Sequence, residues 1–403
     1  MMARSFLSNC SEAALASLIE AARDTAPVSG LTHNFYRYPA RFSPKFVRAA
    51  IQTLSEPGDL VLDPFMGGGT TIVEALALGR HAVGADISSL AAFVSEVKTN
   101  LYSEAELQAL SRWADRIAGL IHMHREGLSA GAYVEAGYCR HLDKSSTWRL
   151  RKAIEQSLKT ATCLQPSKLE LFVRCVILRT AQWALDGRKN LPTIGEFRAT
   201  LVRYASEMID GARQLRLMAQ ANRDARKPVI HCLNRSTTGL ETEPLLRRIQ
   251  KPKLVVTSPP YPGIHVLYHR WQVDGRKETP APFWIANKLD GSGAAYYTMG
   301  DRKAQELRTY FDNLRASLSS VAALCSQETT IVQVMAFSEP SWQLPRYLSV
   351  ADDAGLREFF LPNLKGSGDG RLWRFVPNRK WHADQKGKTN GSQEVVLFHR
   401  LKA

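Results

Sequence analysis

The chain has 403 residues and a mass of 44.9 kDa, more than one typical domain, so we expect two domains or one domain with a large insertion. Hydrophobic residues make up 44% and charged residues 23%, which excludes collagen-like, low-complexity and mostly disordered chains. The 53 lysines and arginines exceed the 38 acidic residues by 15, so the expected partner is a polyanion, with nucleic acid favoured over a membrane surface.

Cysteine spacing and the distribution of apolar residues predict the compartment. None of the six cysteines falls in a CxxC pair or has histidine neighbours at zinc spacing, so we expect no metal and a reducing cytoplasm. Residues 1–24 mix apolar and acidic side chains, which indicates an amphipathic helix rather than a signal peptide. No run approaches about 18 apolar residues, so no membrane span is expected.

The N-terminal part of the chain predicts a βαβ unit. After the first helix, the aromatic and arginine-rich segment 32–46 leads into a helix from about Pro44 to Leu54. The apolar run 60–62 predicts a buried strand, and residues 81–86 predict a second strand, with a glycine loop and an apolar helix between them. Parallel strands joined in this way are buried on both faces, so we expect an open α/β sheet with a right-handed crossover.

A helical region then interrupts the sheet. Residues 101–226 have long stretches of helical periodicity and little strand signal, which predicts an inserted helical domain. The sheet resumes with strands predicted at residues 228–233, 253–257, 329–335 and 394–400. The glycine-rich, basic stretch 366–390 predicts a long loop or hairpin.

The first motif with chemical content is the loop between the first two predicted strands, Asp63-Pro64-Phe65-Met66-Gly67-Gly68-Gly69-Thr70. Glycines let the backbone approach a ligand, the following helix offers unpaired N–H groups, and Asp86 at the next strand end can accept hydrogen bonds from ribose hydroxyls. The glycines are not in the GxGxxG register and no P-loop lysine follows, which disfavours a pyrophosphate. The loop therefore predicts a cofactor that carries a nucleoside.

The second motif is Ser258-Pro259-Pro260-Tyr261, which directly follows a predicted strand. Two prolines restrict the backbone, so Ser258 and the carbonyl of Pro259 are held rigidly at the sheet edge. Tyr261 offers a flat face that can stack on a base removed from the helix, while Ser258 can hydrogen-bond an exocyclic amine. A PPY sequence also occurs in loops and polyproline ligands, so the tetrapeptide alone is weak evidence.

Together, DPFMGGGT and SPPY resemble the motifs of the S-adenosylmethionine-dependent DNA amino-methyltransferases, over roughly residues 31–95 and 228–270. The resemblance implies a Rossmann-like methyltransferase fold with a mixed, mostly parallel seven-stranded sheet, S-adenosyl-L-methionine as the cofactor and double-stranded DNA as the partner. It also implies three parts: residues 1–100 bind the cofactor, the insertion 101–227 is the candidate target-recognition domain, and residues 228–403 carry the catalytic motif.

The resemblance assigns roles to individual residues. Ser258, Pro259, Pro260 and Tyr261 match the catalytic motif, and Asp86 matches the ribose-binding acid. Asn234 falls where relatives often have an aspartate near the adenine. The other expected cofactor contacts lie in the glycine loop and in the segment around the methionine end, and are Tyr36, Phe42, Ser43, Pro44, Asp63, Pro64, Phe65, Gly67, Gly69 and Thr70.

Serine at the first position of SPPY is similar to the cytosine-N4 members of the family, whereas adenine-N6 members more often carry Asp or Asn. We therefore expect cytosine N4 before adenine N6, in a restriction-modification or phage-defence system with a cognate restriction endonuclease. Two other interpretations remain: an RNA methyltransferase, and a nucleic-acid-binding module that keeps the fold without activity.

Basic and aromatic residues near the proposed pocket are candidates for nucleic-acid contact. They fall directly after SPPY and in the C-terminal tail, where an ordinary solvated surface is the alternative. The candidates are His269, Arg270, Trp271, Arg374, Arg379 and Lys380. In the insertion, clusters at 149–152, 188–189 and 223–227 are further candidates for phosphate contact.

Overall fold

A computed structural model gives the three-dimensional structure. It describes residues 11–38, 42–222, 227–262, 270–291, 299–300, 306–364, 368–376 and 393–403. Three of the predicted nucleic-acid contacts, His269, Arg379 and Lys380, lie outside the described residues.

In the described part of the chain, ten strands form two sheets. In chain order they are β1 (Leu60–Asp63), β2 (His81–Asp86), β3 (Ile230–Asn234), β4 (Leu254–Thr257), β5 (Trp271–Val273), β6 (Lys277–Thr279), β7 (Thr330–Met335), β8 (Leu356–Phe359), β9 (Leu372–Phe375) and β10 (Gln393–Leu401). The six strands predicted from sequence correspond to β1, β2, β3, β4, β7 and β10, with boundaries shifted by at most two residues.

The main sheet has the strand order β3-β2-β1-β4-β7-β10-β8. The first five strands are parallel, whereas β10 runs antiparallel to β7 and β8. This mixed, mostly parallel sheet confirms the predicted Rossmann-like methyltransferase fold. Seven strands form the continuous order, and in the described part of the chain β9 pairs in addition with the first residues of β10. Since the carboxyl ends of parallel strands meet at one edge, that edge carries the motif loops.

Strands β5, β6, β8 and β9 have no counterpart among the six strands predicted from sequence. β8 and β9 are four residues long and carry charged residues between apolar ones, so they lack the continuous apolar run of the central strands. β5 and β6 form a separate ribbon whose turn places Asp274 and Gly275 in the left-handed region.

Twelve helices accompany the sheets in the described ranges. They are α1 (Glu12–Arg23), α2 (Pro44–Leu54), α3 (Thr70–Ala77), α4 (Ser89–Thr99), α5 (Glu104–Leu120), α6 (Ala132–Glu135), α7 (Trp148–Ala161), α8 (Ser167–Leu185), α9 (Ile194–Ala221), α10 (Ala281–Ala286), α11 (Glu306–Leu324) and α12 (Pro340–Asp353). Helices α5 and α9 begin with capping boxes, at Ser103 with Glu106 and at Thr193 with Glu196.

Apolar residues of the central strands alternate between two buried clusters. Val61 packs on one face of the sheet with residues of α1 and α2, whereas Leu60 and Leu62 pack on the other face with residues of α11 and α12. The strands are therefore buried on both faces, as predicted from their continuous apolar character.

The helices of the inserted region do not form a separate core. Residues of α5, α7, α8 and α9 share one buried cluster with α4, with α10 and with Phe35 and Tyr36, which belong to the segment that precedes the glycine loop. At Gly211 in α9, a Cβ atom would overlap the carbonyl oxygen of Leu31 and lie 3.3 Å from the Phe35 ring. The helical layer therefore positions the segment that leads to the glycine loop.

Two features are absent from the described part of the chain, a membrane-spanning helix and a cluster of metal ligands. No helix in it is long and apolar enough to cross a membrane. No group of three or more His, Cys, Asp or Glu side chains in it could hold a metal ion.

Candidate active site

The glycine loop between β1 and α3 has a backbone that requires glycine. Gly67 and Gly69 have φ angles of +46° and +75°, in the left-handed region. A Cβ atom on Gly69 would also lie 2.5 Å from the hydroxyl oxygen of Ser95 in α4. The same hydroxyl donates to the carbonyl of Gly67 at 3.2 Å, and the buried Lys98 ammonium donates to the carbonyl of Gly68 at 2.6 Å. Helix α4 thus holds the loop in place.

Asp86 ends β2 next to this loop. Its carboxylate accepts the backbone N–H groups of Gly67 at 3.0 Å and Ser88 at 2.8 Å, and burial raises the pKa of Asp86 to about 6. Asn234 pairs with Asp86 in the register of β2 and β3, and its amide donates to the carbonyls of Asp86 and Ile87 at 3.1 and 3.0 Å. The two residues predicted at the ribose and adenine end are therefore neighbours.

Asp63 connects the two motifs. Only 2% of its surface is exposed, and Oδ1 accepts the Thr257 hydroxyl at 2.7 Å and the Phe65 N–H at 3.2 Å. Burial raises the pKa of Asp63 to about 6. Since β1 and β4 are adjacent parallel strands, this carboxylate joins the end of one strand to the end of the other at the topological switch point of the sheet. The glycine loop and SPPY thus rest on one rigid support.

SPPY is fixed by contacts from distant parts of the chain. The Ser258 hydroxyl lies 3.1 Å from both the Tyr261 hydroxyl and the carbonyl of Val334 in β7. The Tyr261 hydroxyl donates to Glu394 Oε1 at 2.7 Å, and the Tyr310 hydroxyl donates to the carbonyl of Pro260 at 2.7 Å. Sequence reasoning missed Glu394 and Tyr310, since neither belongs to a recognisable local motif.

A cleft of about 460 Å³ lies where β7 ends and β10 begins. This volume falls within the roughly 300–1,000 Å³ of small-molecule sites. Its lining includes the indole-bearing Trp373 and the amide-bearing Gln393, and Gln393 precedes the Glu394 that holds Tyr261. The full lining is Ser338, Glu339, Pro340, Ser341, Trp373 and Gln393.

The structure places Tyr36 and Trp271 in contact with each other. Tyr36 is fully buried and Trp271 is 1% exposed, and the Trp271 indole N–H donates to the Tyr36 hydroxyl at 3.0 Å inside the shared helical core. Their aromatic rings are accordingly part of the packing that supports the site, and contact of either ring with cofactor or nucleic acid stays a prediction.

Arg270 and Arg374 are both engaged in ion pairs. Arg270 lies 2.8 Å from Asp290, and both side chains are largely buried. Arg374 Nε lies 3.1 Å from Glu394 Oε2, with 10% of the Arg374 side chain exposed. Neither guanidinium is freely exposed, and phosphate contact by Arg270 or Arg374 stays a prediction.

The remaining predicted cofactor residues have local structural roles. Ser43 accepts the Phe46 N–H at 3.4 Å as the N-cap of α2, Pro44 is its first residue, and Phe42 packs on Phe46. In the glycine loop, Pro64 accepts the Thr237 hydroxyl through its carbonyl, Phe65 is half-buried and Thr70 begins α3. Contact of these residues with a cofactor stays a prediction.

The donor and acceptor set fits an adenosyl cofactor. The Asp86 carboxylate offers about four lone-pair sites and uses two for backbone N–H groups, which leaves acceptors for ribose hydroxyls. Asn234 lies beside Asp86 on the neighbouring strand. The backbone of Gly67 to Gly69, which carries no side chains, adjoins the Asp86 carboxylate through the Gly67 N–H. These are the residues that would hold the nucleoside and the chain that extends from it.

Comparisons with known proteins agree with this assignment for the cofactor half. Residues 20–93 match the model of a protein family described as DNA methylase. This segment contains the whole glycine loop and Asp86 and ends before SPPY. Over these residues, which hold the predicted cofactor site, the chain is similar to DNA methylases.

Individual relatives share short segments with the chain. The Type II methyltransferase M.MjaII of Methanocaldococcus jannaschii is 33% identical over 78 residues, which cover 19% of this chain and 15% of that protein. M.MvaI of Kocuria varians is 33% identical over 101 residues, which cover 24% of this chain and 22% of that protein. M.BsoBI of Geobacillus stearothermophilus is 37% identical over 81 residues, which cover 20% of this chain and 16% of that protein. The aligned parts thus span less than a quarter of each relative.

Solved structures overlap the chain more widely but loosely. The rRNA methyltransferase aviRa from Streptomyces viridochromogenes has a TM-score of 0.32 and 12% identity, with 95% of this chain and 92% of that chain covered. A SAM-dependent methyltransferase from Agrobacterium tumefaciens has a TM-score of 0.31 and 10% identity, with 91% and 64% covered. Overlap at this level does not establish a shared substrate.

Proposed function

We propose that this protein is a DNA methyltransferase that transfers the methyl group of S-adenosylmethionine to the exocyclic amine of a flipped base. The proposed amine is N4 of cytosine, and N6 of adenine is the alternative. The observation that carries the proposal is the hydrogen bond of Asp63 to Thr257, which joins the glycine loop to SPPY at the switch point. A methyl donor on one loop and an amine on the other would meet there.

In this proposal the cofactor half holds the nucleoside through Asp86 and Asn234 and the rest of the cofactor along the glycine loop. S-adenosylmethionine, when bound, supplies an electrophilic methyl group on a sulfonium centre. The protein contributes an acceptor for ribose hydroxyls at Asp86, a loop fixed by Ser95 and Lys98, and a half-buried location that limits water.

The catalytic half orients the amine. The Ser258 oxygen and the Pro259 carbonyl accept its N–H groups, which draws the nitrogen toward tetrahedral geometry and turns its lone pair toward the methyl group. Tyr261 offers its ring as a stacking face, and the cleft lined by Gln393, the neighbour of Glu394, is large enough for a base. Rate enhancement then comes from positioning, and no covalent adduct with the base is needed.

The choice of cytosine N4 rests on Ser258. A serine hydroxyl is neutral and can accept from either amine, so adenine N6 stays the alternative substrate. The order of preference follows the resemblance of SPPY to the cytosine-N4 members of the family.

Target recognition is assigned to residues 101–227, and restriction-modification with a cognate endonuclease is the proposed setting. The relatives titled Type II methyltransferases support that setting. Several basic side chains of the region are already paired with carboxylates, which leaves fewer for phosphate contact. They include Arg151, Arg174, Arg213 and Arg216.

The proposal is tested by expression in cells that lack DNA methylation, followed by digestion of their DNA to nucleosides and mass spectrometry. N4-methylcytosine is the expected product, and N6-methyladenine would keep the mechanism and change the base. Asp86→Ala is the control, since it should lose the product with the cofactor site. Absence of both products from DNA, with methylated nucleosides in RNA instead, would contradict the proposed substrate.

A further inference from the structure

Four side chains form a continuous polar chain from SPPY into the C-terminal strands. The Ser258 hydroxyl lies 3.1 Å from that of Tyr261, which donates to Glu394 Oε1 at 2.7 Å. Glu394 Oε2 lies 3.1 Å from Arg374 Nε, and the two residues are cross-strand partners on β10 and β9. Only 4% of Glu394 is exposed, so this carboxylate is paired inside the protein.

The chemistry of these groups sets the direction of the hydrogen bonds. A carboxylate only accepts, so the Tyr261 proton is directed to Glu394, whose other oxygen faces Arg374 in an ion pair. The Tyr261 oxygen is then an acceptor for Ser258, whose single proton points to Tyr261 or to the Val334 carbonyl. In both cases the Ser258 oxygen keeps its lone pairs for an incoming N–H donor.

We infer that Glu394 and Arg374 are positioning residues that act through Tyr261 to present Ser258 as a hydrogen-bond acceptor to the target amine. The inference rests on the proposed function and deepens it, because an acceptor selects an amino group over a carbonyl at the same position. It also gives Arg374 a role that its place in a basic, aromatic segment did not predict.

A second arginine–glutamate pair lies on the same part of the sheet and provides the control for the Arg374–Glu394 pair. Arg371 binds Glu358 of β8 through two hydrogen bonds of 2.8 Å, and both side chains are mostly buried. The other carboxylate partner of Arg371 is Asp369 at 3.1 Å, in the turn before β9 rather than in SPPY. A purely structural effect of losing such a pair can therefore be measured separately at Glu358.

The first variant is Glu394→Gln. The single amide oxygen should face Arg374, which only donates, and the amide NH₂ should face Tyr261. Tyr261 then accepts from the amide and directs its proton to Ser258, which uses one of the serine lone pairs. We expect kcat for DNA methylation to fall about tenfold with unchanged S-adenosylmethionine affinity by calorimetry, and Glu358→Gln to keep kcat within about twofold.

The second variant, Tyr261→Phe, cuts the chain at its middle and keeps the ring and the Arg374–Glu394 pair. Its kcat should fall by a similar factor, and adding Glu394→Gln to it should cost less than about twofold more, since the connection is already lost. If Glu394→Gln lowers kcat by the same factor in the wild-type protein and in Tyr261→Phe, the inference is overturned. Full activity of Tyr261→Phe would also overturn it, even if Glu394→Gln fails to fold.

Different results would refute the proposed function and the positioning role of Glu394 and Arg374. A wild-type protein that binds S-adenosylmethionine and methylates no DNA refutes the proposed function. An active wild-type protein with independent effects of the two substitutions refutes only the role of Glu394 and Arg374.

Discussion

At the residue scale, the site depends on Asp63 and Asp86, two carboxyl groups whose pKa values burial raises from 3.8 to about 6. A raised carboxyl pKa means that folding favours the neutral form. Its contribution to stability is present below about pH 3.8 and is lost as the pH rises through about 6. At neutral pH the protein therefore keeps two ionised groups at an energetic cost, which is common at functional sites.

We predict that S-adenosylmethionine affinity falls as the pH drops through about 6, because protonation of Asp86 removes acceptors for the ribose hydroxyls. Calorimetric titrations between pH 8 and pH 5 would measure this dependence. Asp86→Asn should bind more weakly at pH 8 and show a flatter profile. A profile unchanged by Asp86→Asn would instead assign the titration to Asp63.

Ser258→Ala tests the catalytic motif itself. Loss of the acceptor for the amine should lower kcat about tenfold or more, while cofactor affinity stays unchanged because Ser258 follows a different strand from the glycine loop. Single-turnover methylation and calorimetry would separate the two effects. Unaltered turnover would remove Ser258 from the reaction.

At the scale of elements, the close approach of α9 to residues 31–35 holds the segment that precedes the glycine loop. Gly211→Ala places a methyl group against the Leu31 carbonyl, so α9 or the segment must shift. We expect the free energy of unfolding to fall by about 1–3 kcal/mol, as for overpacked cores. Cofactor affinity should fall with it, because the displaced segment adjoins the site.

The control for this substitution is Gly119→Ala in α5. No atom lies within 4 Å of a Cβ at Gly119, so alanine should be neutral or raise the free energy of unfolding by up to about 1 kcal/mol. Urea unfolding of both variants measures the difference. Equal stability of the two variants would mean that α9 and residues 31–35 are less closely packed than the structure indicates.

At the scale of the whole molecule, His399 lies in β10 at the centre of the antiparallel part of the sheet. It is 1% exposed, neither ring nitrogen has a hydrogen-bond partner among the described residues, and burial lowers its pKa from 6.5 to about 4. A lowered histidine pKa means that the folded state favours the neutral ring. Its contribution to stability is present above about pH 6.5 and is lost as the pH falls toward 4.

His399→Phe should remove this dependence. The shift corresponds to about 3 kcal/mol between pH 7 and pH 4, so the wild-type protein should lose that much more stability than the variant on acidification. Chemical unfolding across this range measures it, and comparison with the variant cancels the opposite effect of Asp63 and Asp86. The exposed His124 is the control, and His124→Gln should keep the wild-type slope.

Local sequence determined a large part of this protein. The alternation of buried strands and helices, the glycine loop, Asp86 and SPPY could be predicted because each depends on neighbouring residues: apolar runs, left-handed glycines and paired prolines. The position of both motifs at one sheet edge followed from parallel strands. The short strands β8 and β9 could not be predicted, since their pairing with β10 rather than their own apolar content stabilises them.

Only the tertiary structure decided which side chains face the site and which support it. Tyr36 and Trp271 are separated by 235 residues and Tyr261 and Glu394 by 133, so no local pattern relates the partners of either hydrogen bond. Aromatic and arginine residues suit both a nucleic-acid surface and a buried polar contact. The packing of helices and the register of β9 on β10 place Trp271 against the Tyr36 hydroxyl and Arg374 against the Glu394 carboxylate, because a buried charge is stable only when it is paired.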